Sequence, residues 1–551
     1  MIFTSFCGLD TKHQREYEKG QRIKDSLIAI SKNFKLGDIT LLFLIAIFSI
    51  GIRLPYLNCP LQPDEGAYAY QAYFWLEGVD FYKSRFFNML PGLPLIYIFI
   101  FKIFGIKIVN IRLFLASWNA ISVFFIYLIT RRLLDKKEAL ASALIFSYLS
   151  WLPTFQGITQ KECFMFLPYL ISLYLYLLSQ SERESYLFFS GVFLALAIII
   201  RQTATFLLFH LLLFIYVQGK RKIRNIFIFL SGISFPLFLT LLYGCIRLGK
   251  MNLFYQVVGY RLTTASIFVG PWWWHLLRFL YSISVTGIIF LIFAALLGWS
   301  YLPKERQFSK WFIISFFLFS FLGGVIGGRW FFHYYLQIVP AFSIWLGWCG
   351  ISILKQKGIV KTVFFKLLLM PFIFYIFAIY YTGDFYLSHE RHYEITKQVS
   401  RYIKVYCGQN QEIYAFLYHN PGLYFLAQRK SAIPFLFRNK VLFSPKVLNH
   451  VLETIKQKKM DCLITYDLLY SLKIAEMNCG NNTHNFTKAI KACFSPDFSP
   501  FCKDYPIQLY LIKEIFKTIP KYYVPIKTIP FNDTKVIIWE KISENIFEEV
   551  L

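Results

Sequence analysis

Asp64 and Glu65 stand side by side in PDEGAYAYQA (63–72), just after the first strongly apolar stretch of the chain. An ionisable group beside hydrocarbon is costly and is kept mainly where it works, so two adjacent carboxylates at a membrane edge point to acid–base chemistry. The plainer reading is a pair of solvated loop charges. Gly66 follows and either lets the chain approach a sugar closely or eases the turn into a helix. Farther on, Arg329 and His333 are four residues apart, so on a helix they share a face. They suit a phosphate, or else cap a helix end.

These residues sit in a chain built for the bilayer. Of its 551 residues 56% are apolar, 20% aromatic and only 16% charged, whereas soluble domains carry about 25% charge. Apolar runs near the length of about 20 residues that a crossing helix needs recur eleven times, near 38–57, 112–130, 138–155, 164–180, 186–201, 204–218, 225–245, 276–300, 311–328, 333–353 and 362–382. The expected fold is a polytopic α-helical membrane protein with a C-terminal extracytoplasmic α/β domain.

Orientation follows from basic loops, which stay cytoplasmic. Lys and Arg crowd the segment 1–37 and then alternate loops: Arg131, Arg132, Lys136 and Lys137; Lys220, Arg221, Lys222 and Arg224; Lys304, Arg306 and Lys310. The net charge of +27 is thus a topology signal, and no nucleic-acid partner is needed to explain it. An odd number of spans starting inside puts the loop 58–111 and everything after 383 on the outer face of a bacterial or archaeal inner membrane.

The division expected is a cytoplasmic basic segment 1–37, a transmembrane domain 38–383 and an outer domain 384–551. In the last, EIYAFLY (412–418) and DCLITYD (461–467) read as buried strands, NPGLYFLAQ (420–428) as a short helix and VLNHVLETIKQKK (447–459) as an amphipathic one. KVIIWEK (535–541) reads as a late strand in a hairpin with YYVPIKTI (522–529). Cys407, Cys462, Cys479, Cys493 and Cys502 fall here, and an oxidising compartment favours one or two disulfides among them. Cys462 alternatively is a buried core thiol. No metal-ligand motif stands out, and a need for a divalent metal stays open.

The first outer loop is too long for a connector. DEGAYAYQAYFWLEGVDFY, then NMLPGLPLIY and a closing Phe104-Gly105, resembles the first loop of the glycosyltransferase-C superfamily. Within it the resemblance is to the branch of protein O-mannosyltransferases and lipid A aminoarabinose transferases. GITQKECFMFLP (157–168) lies where that superfamily places its second acidic residue, which implies Glu162. GVFLALAIIIRQTATFLL (191–208) resembles the segment whose basic residue lies beside the lipid phosphate, which implies Arg201. GGRWFFHYYLQIVPAFSIWL (327–346) is similar to the HYYLQ-containing element of the branch. Where the aminoarabinose transferases carry Lys before a Pro-Pro pair, this chain has Asn88-Met89-Leu90-Pro91, so Lys83 or Arg85 takes over that phosphate contact. The tryptophan-tryptophan-aspartate signature of oligosaccharyltransferases is absent.

The resemblance implies an inverting glycosyltransferase that draws a sugar from a polyprenyl-phosphate donor. The acceptor is a protein, lipid A or a glycan. The chemistry also follows from the residues: Asp64 takes the acceptor's proton, Arg201 holds the departing phosphate, and Glu65 and Glu162 complete the acidic set. Attack opposite the phosphate inverts the anomeric centre, as a single displacement requires. Tyr68, Tyr70, Gln71 and Tyr73 offer rings and an amide to sugar or acceptor. The rival class is a transporter or flippase of a lipid-linked sugar. Such proteins show internal repeats and midplane charges, whereas here no repeat is visible and the charges gather at one face.

Overall fold

The computed structural model describes residues 36–59, 61–79, 90–152, 160–180, 184–218, 221–259, 272–303, 305–328, 330–356, 358–382, 385–409, 411–416, 421–433, 445–457, 459–467, 471, 505–531 and 534–541. Among them six helices are long and apolar enough to cross a bilayer: Gly37–Tyr56, Ile108–Leu133, Lys161–Ser179, Lys222–Arg247, Gln307–Val325 and Phe332–Leu354. A further pair, His275–Val285 and Ile288–Trp299, is apolar enough when taken together but is bent by 78°, as in a broken span or a re-entrant loop. The chain is a multi-pass membrane protein. The other four apolar stretches coincide with Lys136–Leu149, Ser185–Ile200, Thr205–Gln218 and Ile359–Thr382. The first three have 14, 16 and 14 residues, below the about 20 of a full crossing.

Burial sorts these helices into an inner and an outer set. Lys161–Ser179 and Phe332–Leu354 are almost wholly enclosed, whereas Lys222–Arg247 leaves Phe227, Phe235 and Phe238 exposed, as suits a lipid-facing helix. Inner contacts are aromatic: Tyr176 stacks on Phe312 with centroids 6.2 Å apart, and Tyr169 shares a hydrogen bond of 2.8 Å with Ser320. A hydroxyl so placed is satisfied without water.

Two helices fill the loop after the first span, Pro63–Leu76 and Gly92–Phe104. The first begins earlier than the sequence suggests, and the acidic pair lies inside its first turn rather than ahead of it. Gln62 is the N-cap, Pro63 occupies the first helical position, and the Gln62 amide donates to Glu65 Oε2 at 3.3 Å. Proline suits that position because its missing N–H has no partner to lose, and carboxylates there oppose the positive end of the helix dipole.

Beyond the spans, helix Phe385–Tyr406 leads to a four-stranded sheet of order β1-β2-β4-β3, with β1 Ile413–Ala415, β2 Cys462–Tyr466, β3 Tyr523–Phe531 and β4 Thr534–Lys541. β1 and β2 are parallel, with Ile413 beside Cys462, and helix Pro445–Lys456 lies between them in the chain, since a parallel pair needs a crossover. β4 pairs antiparallel with both β2 and β3. Each strand and helix read from the sequence in this stretch has a counterpart. Cys407 and Cys462 are joined in a disulfide, so Cys462 is no free core thiol. Cys479, Cys493 and Cys502 lie outside the described residues.

Candidate active site

The two carboxylates of the first loop have different surroundings. Glu65 is buried, and Arg112 at the start of span Ile108–Leu133 grips it with two hydrogen bonds, Nε to Oε1 at 3.0 Å and Nη2 to Oε2 at 2.7 Å. Arg112 Nη1 also donates to the carbonyls of Tyr56, Leu57 and Cys59, at 3.2, 3.0 and 2.6 Å. One guanidinium therefore ties the end of the first span, the loop helix and the next span together. Glu65 is spent on this clamp, which corrects its expected catalytic role: both of its oxygens are taken by Arg112, so it anchors the loop instead of facing a substrate. Asp64, one residue earlier, is half-buried.

A second cluster forms where helix Ser185–Ile200 ends. Arg201 is its C-cap, in extended backbone, and is 4% exposed. Its Nη1 pairs with Glu162 Oε1, at the start of helix Lys161–Ser179. Arg201 Nε donates to Thr203 Oγ1 at 2.8 Å, Thr203 Oγ1 donates to Gln337 Oε1 at 2.7 Å, and Gln337 Nε2 returns to the Thr203 carbonyl at 2.9 Å. The Arg201 guanidinium lies 4.7 Å from the Tyr334 ring centre, and His333 Nε2 is 3.9 Å from Glu162 Oε1. Glu162 pairs with Arg201, and Arg201 is deeply enclosed, unlike a cation that reaches out to a lipid interface. Buried Glu162 Oε2 accepts no hydrogen bond among the described residues, a state that costs about 1–3 kcal/mol unless a ligand fills it.

Tyr68 links the two clusters. It is buried, and its phenol lies well above its ordinary pKa because of that burial first and the Asp64 carboxylate second, while the Arg201 guanidinium pulls the other way. Asp64 and Arg201 thus act on the same hydroxyl. Gly92 sets the spacing between their supports: a Cβ there would lie 2.7 Å from the Ile199 carbonyl and the Ile200 nitrogen, so only hydrogen fits between the loop and the helix end that carries Arg201. The Pro91-Gly92 element therefore serves by close packing.

Other expectations change. Tyr70 is fully buried, and its hydroxyl accepts from the Ser431 amide at 2.9 Å, so it faces the C-terminal region and not a sugar. Gly66 likewise touches protein: a Cβ there would come 2.4 Å from Gly422 Cα. Gln71 is buried with neither amide atom hydrogen-bonded among the described residues. Lys83, Arg85 and Arg329 lie outside the described residues. Arg112, Thr203, Tyr334 and Gln337 belong to the site and were not singled out from the sequence. Arg112 carried a signal, a charge at the mouth of an apolar run.

Residues 90–244 match the family model described as dolichyl-phosphate-mannose-protein mannosyltransferase. ArnT from Cupriavidus metallidurans, solved with undecaprenyl phosphate, aligns over 91% of this chain and 98% of its own, with a TM-score of 0.55 at 12% identity. The fold is of the glycosyltransferase-C type. The Archaeoglobus fulgidus oligosaccharyltransferase tethered with an acceptor peptide aligns over 94% of this chain and 75% of its own, at 13% identity and a TM-score of 0.48. The same organism's AglB, in complex with an inhibitory peptide and a dolichol-phosphate, aligns over 82% and 73%, at 11% and 0.48. No curated protein sequence matches the chain. Within this glycosyltransferase-C-type fold the matched stretch holds Gly92, Glu162 and Arg201 and stops short of Asp64. The two halves of the site thus come from a stretch that matches a family and one that precedes it.

Proposed function

We propose that the protein is an inverting glycosyltransferase that moves a sugar from a polyprenyl-phosphate donor to an acceptor on the outer face of the membrane. The observation that carries this reading is the buried Arg201–Glu162 pair, braced by Thr203 and Gln337, with the half-buried Asp64 carboxylate acting electrostatically on the same Tyr68 phenol as Arg201. In the reaction Asp64 takes the proton of the attacking hydroxyl, whose oxygen bonds to the anomeric carbon. The bond from that carbon to the phosphate oxygen breaks, and its electron pair leaves with the polyprenyl phosphate. Arg201 meets the growing negative charge. Thr203, Gln337 and Tyr334 hold its plane, and Glu162 gives way to the phosphate or orients beside it.

The proposal includes eleven membrane passages of unequal length, a cytoplasmic segment 1–37 and an outer domain 384–551. The Cys407–Cys462 disulfide supports the outer placement of that domain, since such bonds persist in oxidising compartments. The test is transfer by the purified chain from polyprenyl-phosphate sugars, with mass spectrometry of glycans and lipids from cells with and without the protein to name sugar and acceptor. Unaltered glycans and lipids, together with no turnover of any polyprenyl-phosphate sugar, would sink the reading.

A further inference from the structure

The helix Pro63–Leu76 has two working faces. At about 100° per residue, Asp64, Tyr68, Gln71 and Trp75 form one stripe, while Gly66, Tyr70 and Tyr73 lie on the opposite side. The second stripe is covered by residues far along the chain. Gly66 meets the backbone of Gly422 with no room for a methyl group between them. Tyr70 accepts from the Ser431 amide and packs edge-on against Tyr424, centroids 5.7 Å apart. Tyr73 meets Phe425 in the same manner at 6.3 Å.

The covering segment, 421–433, is itself tied down. Ile413 donates to the Lys430 carbonyl and accepts from the Ala432 amide, both at 2.9 Å, which fastens the segment to β1. The buried Arg429 guanidinium donates to the carbonyl of disulfide-bonded Cys407 at 2.9 Å. A rigid sheet edge therefore grips the back of the helix whose front carries Asp64.

We propose that segment 421–433 sets the position of Asp64, with Gly66 and Tyr70 as positioning residues that act through the helix and touch no substrate. The inference rests on Asp64 being the base. A shift of about 1 Å in a reacting group lowers turnover by up to about a hundredfold, and a methyl group at Gly66 cannot be absorbed without such a shift. Gly66→Ala also raises helix propensity, so any loss comes from the docking contact and not from a weaker helix.

The experiment uses the full chain in detergent. Turnover and donor KM are measured for Gly66→Ala, Tyr70→Phe and Asp64→Asn, with amide hydrogen exchange over 63–76. Gly66→Ala should lower kcat at least about tenfold and Tyr70→Phe about threefold, each with donor KM within about twofold of the parent and with faster exchange in the helix. Unchanged kcat in both variants overturns the proposal, whether or not exchange changes. A loss that falls equally on donor KM and kcat marks a merely structural contact and overturns it too. Should Gly66→Ala fail to fold, Tyr70→Phe, which keeps the packing and deletes one hydrogen bond, decides alone. Activity retained in Asp64→Asn instead removes the base, while exchange in the other two variants still reports whether the docking exists.

Discussion

Arg112 reaches Glu65 with two nitrogens and three backbone carbonyls with a third, while Asp64 beside it is half-buried. Removing one partner of a buried pair strands the other charge, at a cost of about 3–5 kcal/mol. Glu65→Ala should therefore lower the thermal unfolding midpoint sharply, and Arg112→Ala more so because three carbonyls lose a donor as well. Melting of the purified variants in detergent checks this. Unchanged midpoints would mean that the clamp does not hold the loop.

Asp64→Asn keeps size and removes the base, so it should abolish transfer while donor binding and melting stay near the parent's. Glu162→Gln should be severe but less complete, because an amide still holds Arg201 by one hydrogen bond. Turnover of purified variants separates the two, and near-normal turnover of Asp64→Asn rules it out as the base.

Arg201→Ala should weaken donor binding more than Arg201→Lys, which keeps the charge but loses the planar fork. A charge-assisted contact of this kind is worth about 1.5 to 3 kcal/mol, or roughly ten- to a hundredfold in affinity. Titration with a polyprenyl-phosphate sugar, against the same polyprenol lacking phosphate, gives the answer. Parent-like binding by both variants would move the phosphate site to His333, Arg329, Lys83 or Arg85.

For topology, a cysteine introduced at Lys222 should be shielded from an impermeant thiol reagent, and one at Asn482 should label. The reverse pattern would place the acidic loop on the cytoplasmic side.

High pH tests the buried phenols. Tyr68 and Tyr97 in the first loop and Tyr414 in the sheet all sit above their ordinary value of 10.0, burial being the first cause in each. The folded state holds them neutral, so their contribution is complete below pH 10 and is lost as pH rises above it. Melting midpoints should fall from about pH 10 upward, with part of the tyrosinate absorbance held back until the protein unfolds. Absorbance that rises fully before unfolding would show these phenols open to solvent.

Asp64 stood out because an acid beside an apolar run is conspicuous, and the strands of the sheet were legible because their apolar residues cluster between turn signals. Glu65 was misread because its partner Arg112 lies across a loop, 47 positions on, and pairing at that distance leaves no local pattern. Tyr70 and Ser431 are 361 positions apart, so nothing near Tyr70 announces that its hydroxyl is already taken. Arg201 was singled out by the resemblance of 191–208 to a family segment, while the Thr203–Gln337 brace that steadies it spans 134 positions and needed the fold.

Helix Ser185–Ile200, which delivers Arg201, has 16 residues, about 24 Å at 1.5 Å per residue, against a hydrocarbon layer of about 30 Å. On the proposed topology a crossing of this length would station the guanidinium below the average lipid surface, and the bilayer around it would dip to meet it. A long-chain isoprenoid phosphate would find its headgroup drawn down into this depression. Bilayer thickness then becomes a variable of the proposed transfer itself: vesicles of shorter-chain lipids should suit it better than thick, sterol-stiffened ones.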